Sequence, residues 1–181
     1  MDSVKSRTCP RALIAVMAVG ATVSVAAEAL PAAVQKELDG IKELCVDIGG
    51  RPQAGAKLHQ AVELRPGAPK DHVINTGEAV CQGAPDPYGG SGGATVIVYA
   101  SRDDGTAFQA FAQGADGVRI EQQKGSTLSQ VSLRVGGALC GQRKNARAAR
   151  GEGMDCWRPI RWSPAKNEFE FAPLSEIQTI K

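Results

Sequence analysis

Aromatic residues are scarce in this chain of 181 residues: four Phe, two Trp and two Tyr, 4% of the total. A core with so few rings is small and mostly aliphatic, and 21 Gly with 10 Pro call for a turn-rich fold. An excess of one charge is missing as well. With 21 Lys plus Arg against 19 Asp plus Glu the net charge is +2, which makes no case for a nucleic-acid partner or an acidic tail. Histidine is limited to His59 and His72, so acid–base chemistry through imidazole has two candidates. No two cysteines lie closer than 16 positions, so the close ligand pairs of a zinc site are absent. What is present, 43% hydrophobic and 22% charged residues, is the composition of one folded domain rather than a disordered chain.

The one long apolar run lies near the start. Lys5, Arg7 and Arg11 precede residues 12–25, which are almost all apolar or small, and Ala26-Ala27-Glu28-Ala29 follows. A basic region, an apolar stretch and an A-x-A site in that order form a signal peptide. Spanning a bilayer takes about 20 apolar residues, and Glu28, Pro31 and Gln35 end this run earlier. Cleavage after Ala29 fits best, with Ala27 as the alternative. Cys9 precedes the apolar stretch, where the cysteine of a lipoprotein would follow it. The expectation is removal of residues 1–29 and a single periplasmic or secreted domain, 30–181, with no membrane span. The segment removed carries three cations and two anions, which leaves a mature net charge of +1.

Cys45, Cys81, Cys140 and Cys156 remain, an even number in a chain bound for an oxidising compartment. Four cysteines allow three connectivities. Cys45–Cys81 with Cys140–Cys156 is preferred because each pair links segments close in sequence. Neither Leu139-Cys140-Gly141 nor Asp155-Cys156-Trp157 offers a base to activate a thiol, so structural disulfides are expected.

Val34, Leu38, Ile41, Cys45 and Ile48 recur at helical spacing, which predicts a helix over 31–47 that begins at Pro31 and stops at Gly49-Gly50. Beyond it, short apolar runs separated by turn residues predict strands at 57–64, 72–75, 94–101, 107–112, 118–122, 127–135, 157–162 and 168–172. Asp103-Asp104-Gly105, Asp116-Gly117 and Lys124-Gly125 read as hairpin turns. The connections are too short for crossover helices. The predicted fold is α+β, an N-terminal helix packed on a twisted antiparallel β-meander and held by two disulfides. Residues 49–55, 65–70, 82–93 and 142–153 should be the least regular, and a site would sit there.

Few constellations carry chemistry. Gly89-Gly90-Ser91-Gly92-Gly93 matches G-x-S-x-G, but a nucleophile elbow follows a strand and opens a helix, whereas Pro85 and Pro87 precede this run and Thr95-Val96-Ile97-Val98 follows it. A phosphate-cradling loop would need a helix N-terminus and usually a lysine. Asp71 and His72, adjacent in a strand, should point to opposite faces. Asp103 with Asp104 sits at a hairpin tip, and Glu168 with Glu170 alternates with Phe169 and Phe171, so both pairs read as solvated charges. The sharpest anomaly is basic. Arg143, Lys144, Arg147, Arg150, Arg158 and Arg161 face only Glu152 and Asp155, a local net of +4. A loop closed by a disulfide loses less entropy on binding, and arginine forks suit carboxylates and phosphates.

Glu43-Leu44-Cys45 through Gly49-Gly50, Asn75-Thr76-Gly77 leading to Cys81, Tyr88 through Ala94, Cys140-Gly141, and Cys156 with Trp162 together resemble a group of small exported alphaproteobacterial proteins of unknown function. The resemblance spans 30–172 and implies export without naming an activity. Cysteines common in that group at the positions of Gly89 and Ala94 are both absent here, as joint loss of a disulfide requires. Where the group shows a segment like a calcium loop, this chain has Glu63-Leu64-Arg65-Pro66-Gly67-Ala68-Pro69-Lys70-Asp71, with too few oxygen ligands. The segment between Cys140 and Cys156 is longer than in the group, so its basic residues inherit no role.

The expectation is a non-enzymatic binding module that engages an anionic protein or envelope polymer through Arg143, Lys144, Arg147 and Arg150, with no nucleic acid, metal or cofactor. An inhibitor of a lysozyme-like hydrolase is one form of it. The alternative is a small envelope hydrolase using Ser91 or His72.

Overall fold

The computed structural model describes residues 29–89, 93–142 and 155–180. The segment read as a signal peptide, Ser91, and the basic residues Arg143, Lys144, Arg147 and Arg150 lie outside the described residues.

Helix α1 (Ala32–Asp47) has Pro31 at its N-cap and buries Val34, Leu38, Ile41 and Cys45, one stripe at spacings of three and four. The Gly49 and Gly50 N–H groups donate to the carbonyls of Val46 and Cys45, a Schellman end. Ile48, expected as the last residue of the apolar face, is 42% exposed because the chain has already left the helix there.

Eleven strands follow among the described residues: β1 (Arg51–Ala54), β2 (His59–Val62), β3 (Asp71–Asn75), β4 (Ala79–Gln82), β5 (Ala94–Ser101), β6 (Ala107–Ala115), β7 (Gly117–Gln122), β8 (Ser129–Gly136), β9 (Asp155–Ser163), β10 (Glu168–Phe171) and β11 (Gln178–Thr179). Their pairings are antiparallel. They form a central sheet in the order β2-β3-β5-β6, an outer sheet β10-β9-β8-β7 with β11 also on β9, and a ribbon β1-β4.

The central sheet has a core on each face. Ile74, Ile97 and Tyr99 meet Val34, Leu38 and Ile41 of α1, while Val73, Val96 and Val98 meet Val131, Leu133, Ile160 and Phe169 of the outer sheet. The period of two along β3 and β5 sends alternate residues to the two cores. Covered on both sides, β5 reads as the unbroken apolar run Val96-Ile97-Val98-Tyr99-Ala100. The architecture is α+β in three layers, helix, sheet and sheet.

Both expected disulfides are present. Cys45–Cys81 ties α1 to β4, and Cys140–Cys156 ties the turn 137–140 to β9, with Cα atoms 5.5 and 5.9 Å apart. Gly50 lies against the first bridge: a Cβ there would stand 2.2 Å from the Cys81 sulfur and 2.8 Å from the Cys45 sulfur.

Two expectations need correction. Residues 49–55 are not wholly irregular, because Arg51–Ala54 pairs with Ala79–Gln82 as a ribbon; β1 is exposed throughout and so shows no alternation. Asp116-Gly117 is not a hairpin turn. β6 pairs with β5 and β7 with β8, so the chain changes sheet at Asp116, whose N–H donates to the Arg134 carbonyl. The turns at Asp103-Asp104-Gly105 and Lys124-Gly125 do connect paired strands.

Candidate functional site

The two histidines, 13 residues apart in sequence, meet on the helix-facing side of the central sheet. His59 opposes Ile74 across the β2–β3 ladder, which sets it diagonal to His72 on the same face. His59 Nε2 and His72 Nδ1 are 2.9 Å apart in one hydrogen bond, with the rings 19° from parallel. One nitrogen donates and the other accepts, so the bond requires at least one neutral ring. Burial holds the His59 pKa below the ordinary imidazole value of 6.5.

His72 is 8% exposed and borders a cavity of about 340 Å³ with Leu30, Pro31, Lys70, Ser101 and Arg102. Tyr99 stands opposite His72 on β5, and its hydroxyl donates to Glu37 Oε2 on α1 at 2.9 Å. Desolvation first, then the Glu37 carboxylate, push the Tyr99 pKa to about 12, so the phenol stays protonated. As expected, Asp71 points to the opposite face. It is fully buried, takes a bidentate bond from Arg65 at 2.7–3.2 Å, and accepts the Ser101 N–H at 3.0 Å. The Arg65 guanidinium lies 4.7 Å from the centre of the Trp162 ring, so this pair joins the two sheets rather than facing a ligand.

A second concavity, a cleft of about 720 Å³, opens between β2, the turn 76–78 and β7. Glu78, Asp86, Asp116 and Glu121 line it, against Lys57 and Arg119. Arg119 is already engaged: it pairs with Glu121 at 3.5 Å, lies 4.3 Å from the centre of the Trp157 ring and donates to Gln178 at 3.4 Å. Small residues, Gly77, Gly93, Ala94, Ala115 and Gly117, make up part of the lining. A Cβ on Gly93, where φ is +78°, would lie 2.2 Å from the Ala115 carbonyl oxygen, so backbone rests on backbone. The segment beside Gly89 is pinned by Tyr88, which is buried, donates its backbone N–H to the Asp86 carboxylate at 2.9 Å and donates its hydroxyl to the Ile41 carbonyl at 2.6 Å. Among the described residues no three metal-ligating side chains converge.

The stems of the basic loop are described and the loop is not. Arg158 donates to the carbonyls of Leu139 and Ala172 at 2.8–3.3 Å and covers the Phe171 ring. Its guanidinium is pushed below its ordinary pKa by burial. Arg161 pairs with Glu176, and Asp155 with Arg134 at 2.7 Å. Two cations of the local excess, Arg158 and Arg161, and the opposing Asp155 are therefore committed within the fold.

The pairing of His59 with His72 and the acidic lining of the cleft were not read from the sequence. A hairpin register brings the first together, and the second draws on three separate segments, the turn 76–78, the loop at Asp86 and the stretch 116–121. The only local signal for either was the expectation that residues 82–93 carry a site, and Asp86 and Gly89 do line the cleft. No protein-family model matches the chain, and no match was found among curated proteins or among solved structures.

Proposed function

We propose that the protein is an exported, non-enzymatic binding module that engages an anionic protein or envelope polymer through Arg143, Lys144, Arg147 and Arg150. The Cys140–Cys156 bridge supports this reading most. It holds the two stems of the loop 5.9 Å apart, Cα to Cα, so a ligand would meet a closed loop. Arg158 and Arg161 are engaged elsewhere, which leaves the excess charge of this region on those four side chains. Two disulfides accord with an oxidising compartment, and no described helix is long and apolar enough to cross a membrane.

The test is a crosslinked pull-down from envelope extract with the native protein beside a variant in which all four residues are glutamine. An acidic partner captured only by the native loop is the expected result. Equal capture, or none, rejects the loop.

A second reading, a small hydrolase with His72 as base, is favoured by one observation: His72 borders a cavity, and its ring is held by His59 at 2.9 Å. Turnover of an envelope substrate lost on His72→Ala with the fold intact would establish it and displace the binding module.

A further inference from the structure

The outer edge of β7 faces a cleft rather than another strand. β7 pairs with β8 along Gly117–Gln122 and has no described strand on its other side, so alternate N–H and C=O groups point away from the sheet. Proteins blunt such edges with Pro, charged side chains, bulges or a covering element. β7 reads Gly-Val-Arg-Ile-Glu-Gln, without Pro, its two charged residues Arg119 and Glu121 pair with each other, and its register with β8 is continuous. β6, which ends the central sheet, is also paired on one side only, but its faces are packed by α1 and β10, with Phe111 against Phe171, and β10 and β11 divide the far edge of the outer sheet into pieces of four and two residues. β7 instead lines the cleft of about 720 Å³ through Val118–Glu121, with Gln60 of the central sheet's own edge strand across from it.

The charge of the cleft selects what fits. With Glu121 and Arg119 paired to each other, and Arg119 also held by Trp157 and Gln178, three carboxylates of the described lining, Glu78, Asp86 and Asp116, face one remaining cation, Lys57. We propose that this cleft docks an extended, Lys- or Arg-bearing polypeptide segment, which adds to the β7 edge as a further strand and places its cations against the acidic rim. Main-chain bonds to β7 supply affinity and the acidic rim supplies the choice of sequence. A six-residue strand spans about 20 Å, which sets the length of segment engaged. This surface is opposite in sign to the loop 143–150 and stands independently of it.

The probe is a capped nine-residue peptide alternating Lys with Thr and Val, titrated into the purified protein beside a Glu counterpart and a version with a central Pro. The Lys peptide should bind and slow amide exchange over Val118–Glu121, and the two controls should not. Asp116→Asn with Glu121→Gln, both at exposed positions, should weaken binding about three- to tenfold and leave the thermal transition in place. Failure of the Lys peptide to saturate by about 1 mM, protection confined to other strands, or affinity untouched by the double substitution would overturn the assignment. So would self-association that the double substitution abolishes, since a second copy would then be the occupant.

Discussion

Asp71 is a charge taken fully out of water, and its stability rests on Arg65 and the Ser101 N–H. Removing one partner of a buried pair leaves the other uncompensated. Asp71→Asn should therefore lower the unfolding free energy by about 3 kcal/mol, measured by urea denaturation at neutral pH. The histidine pair sets a different dependence. His59 is neutral in the folded protein down to a lower pH than in the unfolded chain, because burial lowers its pKa from 6.5. The unfolded state then binds more protons, so this contribution is complete above about pH 6.5 and fades as pH falls below it. Between pH 7.5 and 5.5 the native protein should lose more stability than His59→Gln, with a slope difference no steeper than about 1.4 kcal/mol per pH unit. Equal slopes in parallel urea titrations would show that His59 does not titrate differently on folding.

Helix α1 was legible because four buried residues repeat on one face, and its stop because the Schellman end uses the two glycines. The ribbon was not. Arg51–Ala54 is exposed along its whole length, and Ala79–Gln82, which alternates buried and exposed, is too short to show a period. What holds this part is the Cys45–Cys81 bridge, with Gly50 packed on its sulfurs. Gly50→Ala should cost about 2 kcal/mol and lower the melting temperature, since neither sulfur is free to move aside. Replacing both cysteines of a bridge by alanine should cost about 4 kcal/mol for Cys45–Cys81, with its separation of 36, and about 3 kcal/mol for Cys140–Cys156, with its separation of 16. An inverted order in denaturant midpoints would point to strain or residual structure rather than loop closure.

At the scale of the molecule, the central sheet belongs to both cores, so neither the helix layer nor the outer sheet has an apolar face it can keep covered alone. Heating should give one transition, with calorimetric and van't Hoff enthalpies equal, and loss of either disulfide should lower that transition without splitting it. Two resolved transitions would mean that the layers unfold separately.

The paired cysteines, the helix and most strands were readable along the chain, because residue order and local periodicity carry those features within a few neighbours. The antiparallel α+β class followed from connections too short for anything else. The contact of His59 with His72, the bond from Tyr99 to Glu37 across 62 positions, and the gathering of Glu78, Asp86, Asp116 and Glu121 around one cleft were not. Each depends on strand register and on which sheet covers which. Those are settled by long-range pairing and burial on two faces at once, and no local stretch of sequence contains them.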